Sequence, residues 1–215
     1  MDKYKNGSFN HKVQDLIANH TPNWTLERPF YTDPDIFELD MEKIFRKYWL
    51  YVGHISQIPN PGDYFLRRIL NESLIIIRDD NNQVHALYNI CRHRGSQVCW
   101  EETGHVGNLV CPYHAWVYGR DGALKHARLF PKDFDRSQFG LTRAPVKILE
   151  GFIFLNLSDE PVDFEPMLKD VQPLMKYHDF GNAKVCHTRR VDVKANWKIL
   201  AENYRECYHC GPAHP

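Results

Sequence analysis

Short apolar segments dominate the middle of the chain. Between residues 50 and 157 they alternate with Gly, Pro, Asn and Asp, which is typical of a small antiparallel β domain. The pattern predicts strands at residues 50–54, 64–70, 74–78, 84–89, 116–118, 146–149 and 152–157. Turn-forming residues predict hairpin turns at 79–82 and 121–122. Residues 124–143 are rich in charge and lack periodicity, so we expect a surface loop there.

Helical periodicity is found on either side of this β region. A short helix is expected at residues 12–18, and Asp33 followed by Pro34 is a typical helix start. Residues 163–177 suit an amphipathic helix that Pro173 should kink or end. Residues 184–193 alternate well enough to predict a strand, and residues 197–208 predict a further helix.

Composition narrows the classes of partner. The chain has 215 residues, and its 27 Lys and Arg residues balance its 27 Asp and Glu residues, so no strong field favours nucleic acid or an anionic membrane. The amino-terminal residues lack the apolar run of a signal peptide, and no apolar stretch is long enough to span a bilayer. We therefore expect a cytoplasmic protein with reduced thiols, in which Cys99 and Cys186 are small packing residues.

Two pairs of Cys and His carry the clearest chemistry. Cys91-x-His93 is followed by Cys111-x-x-His114, with a glycine after the first pair and a proline inside the second. Both pairs are therefore expected at loop tips. Two thiolates and two imidazoles suit a Rieske [2Fe–2S] centre, in which imidazoles replace two of the thiolates. A structural zinc site and four unrelated side chains are the alternatives, although a Cys-x-His half is unusual for zinc.

The stretches CRHRGSQVC and CPYHAWVYGRDGAL resemble the two cluster-binding loops of the Rieske-type non-haem iron oxygenase α-subunits. The resemblance implies that Cys91, His93, Cys111 and His114 bind the [2Fe–2S] cluster. It also implies electrons that come from NAD(P)H through a separate reductase. We expect Trp116 to pack beneath the two loops, and neighbouring Arg side chains either to steer an acidic reductase or simply to be solvated.

The implied fold is α+β. A small antiparallel β Rieske domain, flanked by helices, is followed by the beginning of an α+β catalytic domain. We place an N-terminal helical segment at residues 1–48, the Rieske domain at 49–160 and the start of the catalytic domain at 161–215.

A second set of ligand types lies near the carboxyl end, at Glu206, His209 and His214. If the helix at 197–208 runs on, Glu206 and His209 point to nearly the same side. Gly211-Pro212 should then break the helix and let His214 return toward that side. Two imidazoles with one carboxylate form the Fe(II) site that leaves positions for dioxygen and substrate.

The stretch ENYRECYHCGPAHP resembles the iron-binding motif of the same oxygenases. The resemblance implies that His209 and His214 bind mononuclear Fe(II). It implies that Glu206 bridges to the cluster ligand His114 of a neighbouring subunit in a ring-shaped homotrimer. The family's third iron ligand, usually an Asp farther along the chain, has no match here, so we expect a fragment of a longer subunit.

The wording ECYHCGPAHP resembles the branch that acts on quaternary ammonium compounds, which implies hydroxylation or N-demethylation of a small substrate with O2. A dioxygenase of aromatic rings is the alternative substrate class. A Rieske electron carrier without substrate is a further alternative, and it becomes the better one if the chain truly ends at residue 215. A di-iron carboxylate protein would need a second Glu-x-x-His motif.

Overall fold

Antiparallel strands build the larger of two units, Ile44–Thr188, in a computed structural model that describes residues 7–131 and 133–213. The strands are β1 Leu50–His54, β2 Asp63–Ile69, β3 Glu72–Arg78, β4 Val84–Tyr88, β5 Thr103–His105, β6 Leu109–Val110, β7 Val117–Tyr118, β8 Leu124–His126, β9 Arg143–Ala144, β10 Val146–Leu149 and β11 Phe152–Leu155. They form three antiparallel sheets, with the orders β1-β11-β10, β5-β2-β3-β4-β9 and β6-β7-β8.

The side chains of β3 show why the five-stranded sheet lies between two hydrophobic cores. Successive side chains of a strand point to opposite faces. Ile75 and Ile77 pack in the core that also contains side chains of β6, β7 and β8. Leu74 and Ile76 pack in the other core, with side chains of β1 and β11. Both faces of β3 are therefore buried.

All seven predicted strands are confirmed, with bounds that differ by at most two residues. Both predicted hairpin turns are confirmed as well, and Asn82 and Gly122 adopt positive φ values of 61° and 84° there. The prediction of a surface loop at 124–143 is wrong in part. This segment contains β8, β9 and the 3₁₀ helix Arg136–Phe139, and two of its aromatic side chains pack on the core.

The predicted strand at residues 184–193 is wrong. Within the described residues this segment pairs with no strand, and its side chains are exposed. Alternation alone cannot make a strand because the backbone groups also need a partner strand. The helix predicted at 163–177 is confirmed as α4, Glu165–Met175, with Pro173 inside it, two residues before its end.

The smaller unit combines Met1–Lys43 with Arg189–Pro215. Its described helices are α1 Gly7–Ala18, α2 Pro29–Thr32, α3 Pro34–Asp40, α5 Trp197–Arg205 and α6 Cys210–Ala213, and a short π-helix, Met41–Phe45, follows α3. The predicted helix start at Asp33 is confirmed, since its side chain accepts a hydrogen bond from the Asp35 backbone nitrogen. None of the described helices is long and apolar enough to cross a membrane.

Polar contacts hold α5 against residues of α2 and α3. Asp40 accepts a hydrogen bond from Trp197 Nε1 at 3.1 Å and forms an ion pair with Lys198. The Tyr31 hydroxyl donates to Glu202 Oε1 at 2.7 Å. Residues 1–43 and 189–215 therefore form one unit, whereas residues 161–188 of the predicted catalytic domain belong to the larger unit. The predicted domain bounds remain predictions.

Candidate metal centre

The first loop, residues 91–96, is closed by two backbone hydrogen bonds at its ends. The Cys91 nitrogen donates to the Ser96 oxygen at 2.8 Å, and the Gly95 nitrogen donates to the Cys91 oxygen at 2.9 Å. Gly95 has φ +72°, in the left-handed region that glycine enters without steric cost. The sequence therefore folds into a tight loop whose tip carries His93.

The second loop, residues 111–116, repeats this pattern. The Cys111 nitrogen donates to the Trp116 oxygen at 2.8 Å, and the Ala115 nitrogen donates to the Cys111 oxygen at 3.0 Å. Ala115 takes the place of the glycine, although its φ of +54° is unfavourable for a side chain with a Cβ atom. Two separate stretches of sequence thus adopt one loop geometry.

Both thiols lie at the buried base of their loops. Cys91 and Cys111 are each 2% exposed. Burial raises the pKa of Cys91, hydrogen bonds from Tyr118 and from the His93 backbone lower it, and the neighbouring Cys111 thiol raises it again. A cation would favour the thiolate form of two adjacent buried thiols, which is the form that binds metal.

The two imidazoles lie together nearer the solvent. The ring centroids of His93 and His114 are 4.7 Å apart, with planes inclined by 76°. His114 is exposed and His93 is half-buried. Burial, followed by the positive charges of His114 and Arg94, lowers the pKa of His93. A lowered pKa favours the neutral state that a metal ligand needs.

An aromatic surface backs the first imidazole. Trp116 is 2% exposed, as expected for a residue beneath the loops, and its ring stacks on His93 with centroids 4.9 Å apart and planes inclined by 11°. Phe130, Phe134 and Phe139 place their rings 5.3, 6.2 and 6.0 Å from Trp116. These three phenylalanines belong to the segment predicted as a surface loop. Three aromatic residues within a charged stretch were the one sequence feature that could have predicted this packing.

The donor set divides into two pairs, two buried thiols and two neighbouring imidazoles, which fits a cluster of two irons. A tetrahedral zinc site needs four ligands around one point. A Rieske centre instead divides its ligands into a thiolate pair and an imidazole pair, one on each iron. One buried pair of thiols beside one pair of imidazoles matches that division.

Sequence reasoning missed two polar residues that support the first loop. The Tyr118 hydroxyl lies 3.1 Å from Cys91 Sγ. The buried Asn89 side chain accepts hydrogen bonds from the nitrogens of Val98 and Cys99, and donates to the Cys99 oxygen. Tyr118 could have been found by its position two residues after Trp116, on the same face of the predicted strand 116–118.

The second set of candidate ligands is arranged differently from the prediction. Helix α5 ends at Arg205, and Glu206 has extended backbone angles, φ −105° and ψ 92°. The prediction that Glu206 and His209 share a helix is therefore wrong. The Glu206 side chain is exposed, and His209 is half-buried at the end of the 3₁₀ helix Cys207–His209. His214 lies outside the described residues.

The predicted helix break at Gly211-Pro212 is also wrong. Both residues lie within α6, Cys210–Ala213. Proline is tolerated in the first turn of a helix because the nitrogens there have no partner within the helix. The change of direction comes earlier, at Glu206, so that the bridging candidate lies between two helical segments.

The remaining cysteines behave in two ways. Cys99 is buried, as predicted, and burial raises its pKa to about 11. The prediction that Cys186 is a packing residue is wrong, because Cys186 is exposed in a segment without regular structure. Two histidines outside the candidate centre, His54 and His85, form hydrogen bonds to the Phe180 oxygen and to Asp79.

Two families match the chain. The Rieske [2Fe-2S] domain matches residues 48–139, and the ring hydroxylating alpha subunit (catalytic domain) matches residues 180–215. The glycine betaine monooxygenase oxygenase subunit of Pseudomonas aeruginosa (strain UCBPP-PA14) is 41% identical over 202 residues, which cover 94% of this chain and 47% of the relative. The carnitine monooxygenase oxygenase subunit of Escherichia coli (strain K12) is 37% identical over 209 residues, with coverages of 94% and 55%.

Solved structures agree with these relatives. The quaternary ammonium Rieske monooxygenase CntA in complex with its substrate L-carnitine has a TM-score of 0.84 and 34% identity, over 94% of this chain and 58% of that one. Naphthalene 1,2-dioxygenase from Rhodococcus sp. has a TM-score of 0.84 and 28% identity, over 95% and 49%. The chain spans about half the length of the curated relatives it matches.

Proposed function

Because the chain belongs to the Rieske-type non-haem iron oxygenases and resembles the N-terminal part of their α-subunits, we propose that its protein oxidises a quaternary ammonium compound with O2. A Rieske domain implies a [2Fe–2S] cluster, and this oxygenase family also uses mononuclear iron. The electrons come from NAD(P)H through a separate reductase. The reaction is hydroxylation or N-demethylation of a small substrate.

In this proposal, Cys91 and Cys111 bind one iron of the cluster, and His93 and His114 bind the other. The observation that best supports this proposal is that two loops share one geometry. Together they place two thiols at the buried base of the loops and two imidazoles nearer the solvent. When bound, the cluster supplies reversible one-electron transfer at a potential raised by its imidazole ligands. The buried base keeps water from the thiolates, which favours a stable cluster.

The proposed exit for electrons is on the exposed side of the loops. His114 is exposed, and so is Glu206, so each is accessible to a neighbouring subunit. We assign Glu206 the role of the carboxylate that accepts a hydrogen bond from His114 of the next subunit in a homotrimer. Such a carboxylate fixes the tautomer and orientation of an imidazole. His209 and His214 are assigned to the mononuclear iron.

The proposal also includes the domain organisation of the chain and the cellular location of the protein. The N-terminal helical segment occupies residues 1–48, the Rieske domain 49–160 and the beginning of the catalytic domain 161–215. We place the protein in the cytoplasm, and its balanced charge provides no strong field that would attract nucleic acid or an anionic membrane. Fractionation of cells that produce the protein tests this location: activity in the membrane fraction would contradict it.

The substrate class rests on two observations: the motif ECYHCGPAHP and the similarity to oxygenase subunits for glycine betaine and carnitine. We expect the purified gene product, supplied with a reductase and NADH, to oxidise one of these amines, with formaldehyde released if an N-methyl group is hydroxylated. Formation of a cis-diol from naphthalene, with no oxidation of either amine, would place the protein with the ring-hydroxylating dioxygenases instead.

The role of Glu206 is tested in the same assay. Glu206→Gln is expected to retain both metals and to abolish turnover, because a neutral amide cannot replace the bridging carboxylate. Glu160→Gln, the same change at an exposed site outside the motif, should leave turnover unaltered. Normal turnover in Glu206→Gln would remove Glu206 from the mechanism.

A further inference from the structure

His93 and His114 have different surroundings, although both are proposed ligands of one iron. The face of His93 is covered by Trp116, whose ring is nearly parallel to it at 4.9 Å. Phe130 approaches the same imidazole edge-on, at 6.1 Å and 88°. His114 packs instead against Tyr113, whose side chain is 62% exposed. One imidazole is therefore enclosed by rings, and the other faces solvent.

The enclosing rings are tied to one another. Trp116, Phe130, Phe134 and Phe139, called the aromatic wall below, make successive contacts: Phe130 lies 4.7 Å from Phe134, which lies 4.9 Å from Phe139. These two contacts are tilted, at 48° and 35°, and all three phenylalanines meet Trp116 edge-to-face, so the packing resists reorientation of each ring. Since Trp116 is 2% exposed and is packed in this way, its plane is fixed.

The plane of an imidazole determines where it can bind a metal. The lone pair of a ring nitrogen lies in the ring plane, so a rotation of the ring turns the lone pair away from the iron. Orientation of ligand rings by surrounding groups normally relies on hydrogen bonds. At His93 a parallel indole and a perpendicular phenyl ring restrict the same rotation by stacking.

We propose that the aromatic wall positions His93, with Trp116 setting the plane of the imidazole and Phe130 closing its edge, so that His93 keeps one orientation as an iron ligand. This inference rests on the proposed ligation of the cluster. It assigns a positioning role to Phe130, which lies in the segment 124–143 that the sequence predicted to be a surface loop. His114, on the open side, retains the room to meet a partner.

Two substitutions of Trp116 separate positioning from simple packing. In the cluster-containing protein, Trp116→Leu fills part of the space but removes the stacked ring, whereas Trp116→Phe keeps a ring. We expect Trp116→Leu to broaden the EPR signal of the reduced cluster, because His93 then adopts several orientations. Loss of iron to a chelator should become roughly fivefold faster, as expected for the loss of one aromatic contact. Trp116→Phe should stay close to the wild type in both measurements.

Two further variants keep the test decisive if Trp116→Leu does not fold. Phe130→Ala removes the edge contact at a position that is 40% exposed, so the fold should survive while the EPR signal broadens. Phe154→Leu removes a ring that contacts Tyr51 and Phe164, outside the aromatic wall, so it should lower the melting temperature and leave the EPR line shape unchanged.

The outcomes distinguish this inference from the proposed function. Unaltered EPR line shapes and chelator rates in Phe130→Ala and in any Trp116→Leu that folds, beside a normal wild-type cluster, would overturn the positioning role alone. A wild-type protein without a histidine-ligated cluster would overturn the proposed function and this inference with it.

Discussion

The hydroxyl of Tyr118 lies 3.1 Å from Cys91 Sγ and accepts a hydrogen bond from the Arg92 nitrogen at 3.0 Å. Tyr118 is fully buried, and burial, together with its contact to Cys91, raises the pKa of the hydroxyl. The hydroxyl therefore keeps its proton and can donate it in a hydrogen bond to a thiolate at Cys91. This contact links strand β7 to the first loop.

Tyr118→Phe is expected to lower the reduction potential of the cluster. A hydrogen bond to a ligand sulfur disperses negative charge and favours the reduced state. A differential loss of about 1 kcal/mol corresponds to roughly 40 mV for one electron. Redox titration of the purified protein measures the change, with Tyr113→Phe as the control at an exposed position. An unchanged potential in Tyr118→Phe would show that the hydroxyl does not act on the cluster.

Asp40 is expected to be essential for the stability of the smaller unit. Its side chain and that of Lys198 are only 10% and 11% exposed, and Lys198 Nζ also donates to the Phe30 oxygen at 3.2 Å. Asp40→Ala leaves a buried ammonium without its carboxylate, which should cost about 3 kcal/mol. Lys12→Gln, which breaks a more exposed pair with Asp33, should cost less than about 1 kcal/mol. Urea denaturation compares the two, and equal losses would contradict this account.

Asp79 should make stability depend on pH in acid. Burial raises its pKa, but hydrogen bonds from His85 and from the backbone of Gln83 and Asn81 outweigh burial and lower the pKa below its usual value of 3.8. Because the folded pKa is the lower one, the stabilisation is present above about pH 4 and is lost as the pH falls through the folded value.

The substitution Asp79→Asn is therefore expected to destabilise the protein at neutral pH by about 1–3 kcal/mol. The difference from the wild type should shrink as the pH falls toward about 3. Asp80→Asn, at a neighbouring carboxylate that is 77% exposed, should change stability by less than about 1 kcal/mol. Denaturation curves at several pH values measure both, and a difference for Asp79→Asn that does not vary with pH would refute the assignment.

Thiol reactivity should follow exposure. Cys186 and Cys210 are exposed, whereas Cys99 is 7% exposed with a pKa raised to about 11. Since the thiolate is the reacting form, iodoacetamide at about pH 8 should modify Cys186 and Cys210 and leave Cys99 intact. Peptide mass spectrometry reads out each site, and denatured protein gives the fully modified reference. Modification of Cys99 in the native protein would show that its core opens readily.

Features that depend on local pattern were predictable from the sequence. The apolar run around β3 and the turns that bound it fix the strand, because alternation and turn chemistry act over a few residues. The short spacing of Cys91 and His93, and of Cys111 and His114, indicates the ligands of a metal centre without any knowledge of the fold. These features identified both the β domain and its candidate centre.

Features that depend on distant contacts were not predictable in this way. The aromatic wall depends on the packing of Phe130, Phe134 and Phe139 on Trp116. The spacing of these residues follows neither helical nor strand periodicity, so the sequence pattern does not predict the contacts. Helical periodicity also did not predict that α5 ends before Glu206. The boundary of a helix depends on the backbone angles of one or two residues, which periodicity does not determine. The alternation of apolar and polar residues at 184–193 predicted a strand wrongly, because a strand also needs a partner strand for its backbone hydrogen bonds.

We propose that four side chains bind a [2Fe–2S] cluster through two thiolates and two imidazoles: Cys91, Cys111, His93 and His114. Mössbauer spectroscopy of the purified ⁵⁷Fe-enriched protein, with chemical analysis of iron and sulfide, tests it most directly. We expect as much sulfide as cluster iron and, beside the signal of the mononuclear Fe(II), two iron environments in equal proportion, one with thiolate and one with imidazole ligands. A single bound zinc ion, or two irons with the same all-thiolate environment, would contradict it.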